Sequence, residues 1–300
     1  MRIYPSSIAF RIITHNVRYA ASSRARGEDP WEVRRGHLIS ELRFNSLYCP
    51  ETFICLQEVL HRQLLDIHHG LDHDGPQWEY IGVGRDDGKE AGEYSPIFYR
   101  PAIWKLLEHK SVWLSETPDR PSKGWDAAST RILTIGVFRH VESRRTVVAM
   151  STHLDDQGAQ ARTEAAKIIL QQVERYSCHG PDACPDEHGT SPWLPVFVAG
   201  DFNSPPDDGA YKTITGSNPG MSSLQSLVPS GNTYGHDKTF SGFDDWDKPM
   251  TKLDYIFVNE RSPDRVTPWS PTMYAVLENR FDDRVYLSDH RAVVGDVVLK

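Results

Sequence analysis

Short apolar runs that empty into polar residues set the tightest limit on what this chain can fold into. They span residues 10–17, 53–56, 97–99, 132–138, 147–151, 196–199, 253–258 and 292–298. Runs of this length are too short for buried helices and suit strands covered on both faces. Helical signals lie between some of them. Residues 31–44 follow Asp29-Pro30, with Val33, Leu38 and Leu42 near helical spacing. Residues 159–173 are rich in Ala and long side chains, with Ile168, Ile169 and Leu170 on the expected inner face. Stretches 178–192 and 207–247 carry turn residues and read as surface excursions. The pattern predicts one α/β domain over residues 1–300, with stacked sheets flanked by helices.

Several polar groups stand where these runs end. In Val196-Phe-Val-Ala-Gly-Asp-Phe-Asn, a strand empties into Asp201 and Asn203, which point the same way on an extended chain. A carboxylate and an amide are hard oxygen ligands, and the amide also donates to a phosphoryl oxygen. An Asx turn would use the same residues. Glu58 follows a run apolar enough to be buried, where a carboxylate needs a partner or a metal. A helix start or a salt bridge is the plainer reading of that Glu. Asn16 ends the first run, His153 another, Asp254 opens a run, and Asp289-His290 precedes the last. One such histidine is ordinarily structural; two, sharing carboxylates in equivalent positions, point to a site.

The order Thr14-His-Asn-Val-Arg, Gln57-Glu58, Thr152-His153-Leu154, Gly200-Asp-Phe-Asn, Leu253-Asp254-Tyr255 and Ser288-Asp-His-Arg resembles the endonuclease/exonuclease/phosphatase superfamily across nearly the whole chain. The resemblance implies a deoxyribonuclease I-like four-layer α/β sandwich, two facing, mainly antiparallel β-sheets flanked by helices, with the site at one end. It implies Glu58 as the principal Mg2+ ligand, with Asn16 beside it, Asp289 at the metal side, and Mn2+ as a substitute. Asp201 and Asn203 would position the attacking water and the phosphate. His290, oriented by Asp254, would act as general base or phosphate-binding group, and His153 would contact a phosphoryl oxygen. Glu93 sits where deoxyribonuclease-like members place a carboxylate that orients the equivalent of His153. The segments around 81–88 and 113–128 look like a small bacterial and fungal branch distantly similar to deadenylases. There, Arg85, Lys123 and Arg131 are candidates to read a substrate anion, and Trp125 to stack on a base or sugar. Loop shaping and pairing with Asp86, Asp87 and Asp126 is the alternative for each.

The chemistry is coherent on its own terms: hydrolysis at phosphorus needs an activated water, neutralised phosphoryl oxygens and a supported leaving oxygen. The expected activity is Mg2+-dependent hydrolysis of a phosphomonoester or phosphodiester, on a small or nucleotide-like substrate. A nuclease or deadenylase is the alternative, and a non-catalytic phosphoester-binding protein a further one. A formal charge of −8 argues against long nucleic acid, whose affinity rests on Lys and Arg contacts with phosphate. Neither a G-x-S-x-G elbow nor a Walker-type loop occurs. Cys178, His179, Cys184 and His188 match no standard zinc spacing closely, so a plain surface loop is expected there. Four cysteines are too few for a disulfide scaffold. No apolar run is long enough to span a bilayer, and Pro5 breaks the start as a secretion signal. A cytoplasmic monomer is the expectation.

Overall fold

The computed structural model describes residues 7–179, 193–218, 220–243, 249–260 and 268–299. The elements begin with β1 (Ile8–Asn16), α1 (Trp31–Ser46), β2 (Phe53–Gln57), α2 (His61–Leu71), β3 (Glu79–Ile81) and β4 (Ile97–Tyr99). Next come β5 (Trp104–Trp113), β6 (Ile132–His140), β7 (Thr146–His153), α3 (Ala159–His179), β8 (Val196–Asp201) and α4 (Gly209–Gly216). The chain closes with β9 (Met221–Ser223), α5 (Leu224–Leu227), β10 (Thr233–Gly235), β11 (Asp254–Asn259), β12 (Trp269–Val276) and β13 (Val293–Leu299). One sheet has the order β10-β12-β13-β1-β2-β4-β3, and the other β5-β6-β7-β8-β11-β9. The two sheets face each other, with helices outside, as the deoxyribonuclease I-like sandwich requires.

Alternation along each strand shows why the runs are apolar throughout. Phe10, Ile12, Phe53, Cys55, Val147, Ala149, Phe197, Ala199, Ile256 and Val258 meet between the sheets. Their neighbours turn outward under helices. Ile13, Ile54 and Leu56 pack with Leu38 and Leu42 of α1 and Leu64 and Ile67 of α2. Val148, Met150, Val196, Val198, Tyr255 and Phe257 pack with Ala165, Ala166 and Ile169 of α3. With both faces covered, period-two polarity disappears. The centre is aromatic: Phe53 stands 4.7 Å from Trp104 and 5.6 Å from Phe197, centroid to centroid. Truncating Phe53 to alanine would cost about 3–5 kcal/mol.

The inward faces change character towards one end of the sandwich. On β1 they read Phe10, Ile12, Thr14, Asn16; on β2, Phe53, Cys55, Gln57; on β7, Val147, Ala149, Ser151, His153; on β8, Phe197, Ala199, Asp201. Strand β11 runs antiparallel to β8, so Asp254 at its start lies opposite Asp201, while parallel β7 sets His153 beside the same residue. Topology therefore gathers residues from distant parts of the chain on one polar floor.

Some sequence expectations need correction. Helix α1 buries Arg34, with Trp31, Leu38 and Leu42, and leaves Val33 exposed. In α3, Ile169 is buried, whereas Ile168 and Leu170 are only partly so. The stretch read as a surface excursion at 207–247 contains α4, β9, α5 and β10. Cys178 lies on α3; Cys184, His188 and the side chain of His179 fall outside the described residues. No helix among the described residues is long and apolar enough to cross a membrane.

Candidate active site

A cavity of about 460 Å³ opens over the polar floor. Of the residues singled out in the sequence, Glu58, Arg85, Glu93, Arg131, His153, Asp201, Asn203, Asp289 and His290 line it. Asn16 and Asp254 lie buried beneath, bonded to lining residues. Trp125 and Lys123 are not among the lining residues. Asp126, next to Trp125, accepts from the Ala161 N–H at 2.7 Å, which turns that segment to the start of α3.

Backbone geometry aims several of these groups. Arg18, Glu58 and Asn203, each just past a strand end, have φ of 58°, 59° and 45°. Such left-handed conformations are strained for residues with a Cβ and cluster at functional sites. Gly200 is required sterically, because a Cβ there would run into the Thr152 carbonyl on β7.

Asp201 is the hub. Its Oδ2 accepts from Asn16 Nδ2 at 2.9 Å across the gap between the sheets, and its Oδ1 from the Asn203 N–H at 2.9 Å. The same Oδ2 lies 3.5 Å from His153 Nε2 and 3.6 Å from His290 Nε2. Burial, reinforced by the charge of Asp254, pushes this carboxyl up to about 7.

The two histidines differ sharply. His290 Nδ1 donates to Asp254 Oδ2 at 2.8 Å, leaving Nε2 towards Asp201. Burial opposes its charge, but Asp254, Asp201 and Asp289 outweigh burial and raise its pKa well above the ordinary range. His153 is equally buried and is held well below that range by burial, then by the charges of Arg131 and Arg85. Asn203 Nδ2 donates both to Leu154 O and to His153 Nε2, each at 3.0 Å. With Nε2 accepting, the proton of neutral His153 resides on Nδ1. That nitrogen faces Glu93 Oε2 at 3.8 Å, beyond hydrogen-bond distance. Glu93 is held instead by both terminal nitrogens of Arg85, at 2.8 and 2.9 Å. Burial and Glu58 push the Glu93 carboxyl upward despite that fork.

Glu58 and Asp289 face the same cavity from the other sheet. Glu58 accepts from Asn16 Nδ2 at 3.0 Å and from the Tyr19 N–H at 3.1 Å. Burial and the nearby Glu58 charge raise the Asp289 carboxyl, against His290 and Arg18. Two carboxylates facing one cavity, with the charge of Glu58 opposing the ionisation of Asp289, are a donor set suited to a hard divalent cation. Asn16 gives its amide nitrogen to Glu58 and Asp201, and its oxygen accepts from the Arg18 N–H at 3.0 Å. Asp201, Asp254 and His290 also bring ligand atoms within 4.8 Å of one another, another group able to hold an ion.

The supports were harder to read from sequence. Arg34 is wholly buried and donates to the carbonyls of Asp29, Val17, Arg18 and Leu287 at 3.0, 3.0, 3.1 and 2.6 Å. It thereby ties the loop after β1 to the segment carrying Asp289 and His290. Asn279 Nδ2 donates to Ser288 O and His290 O at 2.8 and 3.2 Å. Arg34 had a signal, three residues after Trp31 on an otherwise apolar helix face; Asn279 had none. Arg18, Tyr19, Ser129, Asp156 and Phe240 also line the cavity, with no role assigned to them from the sequence.

Residues 13–290 match the model of the Endonuclease/Exonuclease/phosphatase family. A solved endonuclease/exonuclease/phosphatase from Bacteroides vulgatus is 30% identical, with TM-score 0.81, covering 98% of this chain and 100% of that one. The mannosyl-6-phosphatase Bt3783 of Bacteroides thetaiotaomicron is 29% identical, with TM-score 0.78, covering 96% and 99%. The CCR4-Not complex 3'-5'-exoribonuclease subunit Ccr4 of Aspergillus niger is 25% identical over 219 residues, 61% of this chain and 32% of that protein. The chain thus spans about a third of the length of the curated relatives it matches.

Proposed function

The chain belongs to the Endonuclease/Exonuclease/phosphatase family, whose members hydrolyse phosphoester bonds, and from that premise we propose a Mg2+-dependent hydrolase of small phosphorylated molecules, sugar phosphates before nucleotides. The observation that carries this reading is Asp201, whose Oδ2 stands 3.5 Å from His153 Nε2 and 3.6 Å from His290 Nε2 on the floor of a polar cavity.

Asp201, raised towards neutrality, takes a proton from the attacking water near pH 7, where a base of matched pKa works best. Both amide hydrogens of Asn203 are engaged within the protein, so its oxygen is left to orient that water. His290 offers Nε2–H to a phosphoryl oxygen, and Asp254 keeps the ring charged and fixed. This favours the phosphate-binding role for His290 over that of general base. Glu58 and Asp289, with Asn16 beside them, would hold Mg2+, which supplies charge neutralisation at the phosphoryl and leaving oxygens. Mn2+ suits the same donors.

The walls favour a hydroxylated leaving group. Arg85, Glu93, Ser129, Arg131 and Asp156 present hydrogen-bonding groups to the cavity. Its two aromatic residues are engaged elsewhere. The Arg18 guanidinium covers the Tyr19 ring at 4.5 Å, and Phe240 stands edge-on to His290 at 5.1 Å. A base-binding site relies on open stacking platforms. The similarity to Ccr4 supports a second reading, removal of nucleotides from an RNA 3' end.

The test is a panel of sugar phosphates, nucleoside monophosphates, inositol phosphates and short single-stranded RNA, with Mg2+, Mn2+ or EDTA. Metal-dependent phosphate release, fastest from a sugar phosphate and lost in His290→Ala, is expected. Faster shortening of RNA would replace the first reading with the second. Silence across the panel from folded protein would contradict both.

A further inference from the structure

Membership of a family with both monoesterases and diesterases leaves open how this chain tells one ester from the other. One side chain at the cavity wall bears on that. Arg131 is only 6% exposed, and its guanidinium is pinned along one edge. Nε donates to Asp155 Oδ2 at 3.2 Å and Nη2 to Asp156 Oδ1 at 2.7 Å. Asp155 is itself fixed by the N–H groups of Ala128, Ser129, Gln157 and Gly158. Burial works against its charge, but these bonds and Arg131 win and hold the carboxyl down to about 2. The pin therefore does not release near neutral pH.

The opposite edge of the same guanidinium has no partner. Arg131 Nη1 is buried, with no acceptor in reach. Two more buried nitrogens beside it are in the same condition: Arg85 Nε and His153 Nδ1. All three side chains line the cavity. Buried donors are ordinarily satisfied, so three at one wall point to an acceptor brought by a ligand. The three differ in what they can add. Arg85 gives an N–H from each terminal nitrogen to Glu93, leaving Nε as its one nitrogen without a hydrogen-bond partner, and the His153 ring is held below its ordinary pKa. Arg131 alone of the three offers a whole NH2 group of a permanently charged fork.

A phosphodiester has two unesterified oxygens sharing one negative charge, whereas a phosphomonoester has three sharing up to two. Asp201 and Asn203 hold the water side, His290 presents one donor, and the Glu58 end suits the metal. Three arginines among the described residues line the cavity; Arg18 is turned to Glu28 at 3.4 Å and Arg85 to Glu93, which leaves Arg131 as the charged donor for the third oxygen of a monoester. We propose that Arg131 reads the ester: its unpartnered Nη1 edge binds the additional anionic oxygen of a phosphomonoester and makes the enzyme prefer monoesters to diesters. This rests on the phosphoesterase reading above and narrows its substrate class.

The experiment compares p-nitrophenyl phosphate with methyl p-nitrophenyl phosphate, which share a leaving group and differ by one ester. Values of kcat/KM are measured at saturating Mg2+ for the wild type, Arg131→Gln and Arg131→Lys. The lysine variant keeps a charge for Asp155 where the glutamine variant fails to fold. The monoester value should fall about 100-fold, and the monoester-to-diester ratio at least about tenfold, on the scale of a charge-assisted bond. A merely structural role would lower both rates together, so the ratio isolates recognition. A monoester-to-diester ratio within twofold of wild type in the folded variants would overturn the proposal. Should the wild type hydrolyse neither compound, the hydrolase reading fails separately. Calorimetric binding of inorganic phosphate against dimethyl phosphate then decides for Arg131. Preference for inorganic phosphate, lost in the variants, supports it, and equal affinity contradicts it.

Discussion

His290 and His153 stand 3.6 and 3.5 Å from one carboxylate oxygen, are almost equally buried, and have their pKa values driven in opposite directions. Burial lowers both. What separates them is the next residue out: Asp254 bonded behind His290, and Arg131 with Arg85 beyond His153. Near-identical distances thus build two different reagents, a charged donor held ready for a phosphoryl oxygen and a neutral ring tied to Asn203. Protonation here follows the partners of the rings rather than their depth.

The largest expected effect tests the asymmetry directly. His290→Ala should lower kcat about 1,000-fold, and His153→Ala about 10–100-fold, since only the first removes a cationic donor. Equal losses in steady-state kinetics would break the comparison. Asp254→Asn keeps an acceptor for His290 Nδ1 but removes the charge, so kcat should fall about 100-fold. The His290 ring, followed by NMR titration, should also move back towards its ordinary range. An unmoved titration would mean that Asp254 is not what holds the charge.

A smaller effect appears in stability. His153 has a folded pKa below its ordinary 6.5, so its stabilising contribution is present above that value and lost as pH falls through it. His290, with its raised pKa, contributes stability that is complete below 6.5 and lost only as pH rises through the folded value. Urea denaturation between pH 7.5 and 5.5, with chelator, is compared between the wild type and His153→Gln, since Asp201 and Glu93, both raised to about 7, add stability on acidification in both proteins. Relative to the variant, the wild type should lose up to roughly 1.4 kcal/mol per pH unit below pH 6.5. An identical slope in the two proteins would contradict the assignment. The smallest effect concerns the other sheet. Millimolar Mg2+ should raise Tm by about 2–4 °C in the wild type and by less than about 1 °C in Glu58→Gln. A full shift in the variant would place the ion elsewhere, with Asp201, Asp254 and His290 as the next candidates.

Much of this was legible in the sequence, for a physical reason. Strands buried on both faces are written as unbroken apolar runs, so the polar residue ending each run stands out, as Asn16, His153 and Asp201 do. Among the elements that escaped, β5 and α2 did so because their apolar pattern is broken. Strand β5 lies at a sheet edge and carries Lys105, Glu108 and Lys110, which break the apolar run. Helix α2 buries only Leu64, Ile67, Leu71 and Gln63, a stripe diluted by histidines. Within the site, residue types were visible and pairings were not. Glu93, read from sequence as the partner of His153, does face its Nδ1 at 3.8 Å, but the sequence does not show that its hydrogen bonds go to Arg85. Arg85 and Arg131 were singled out alongside Trp125, and nothing in their spacing shows that Asp126 turns the Trp125 segment towards α3. Such choices depend on tertiary geometry, which one-dimensional spacing does not carry.

The most direct test of the two-histidine account is nitrogen-15 NMR of the histidine rings at pH 7.5, assigned with the His153→Gln and His290→Ala proteins. The account predicts that His290 carries protons on both nitrogens, while His153 is neutral with its proton on Nδ1. Two rings in the same protonation state, or His153 protonated on Nε2, would contradict it.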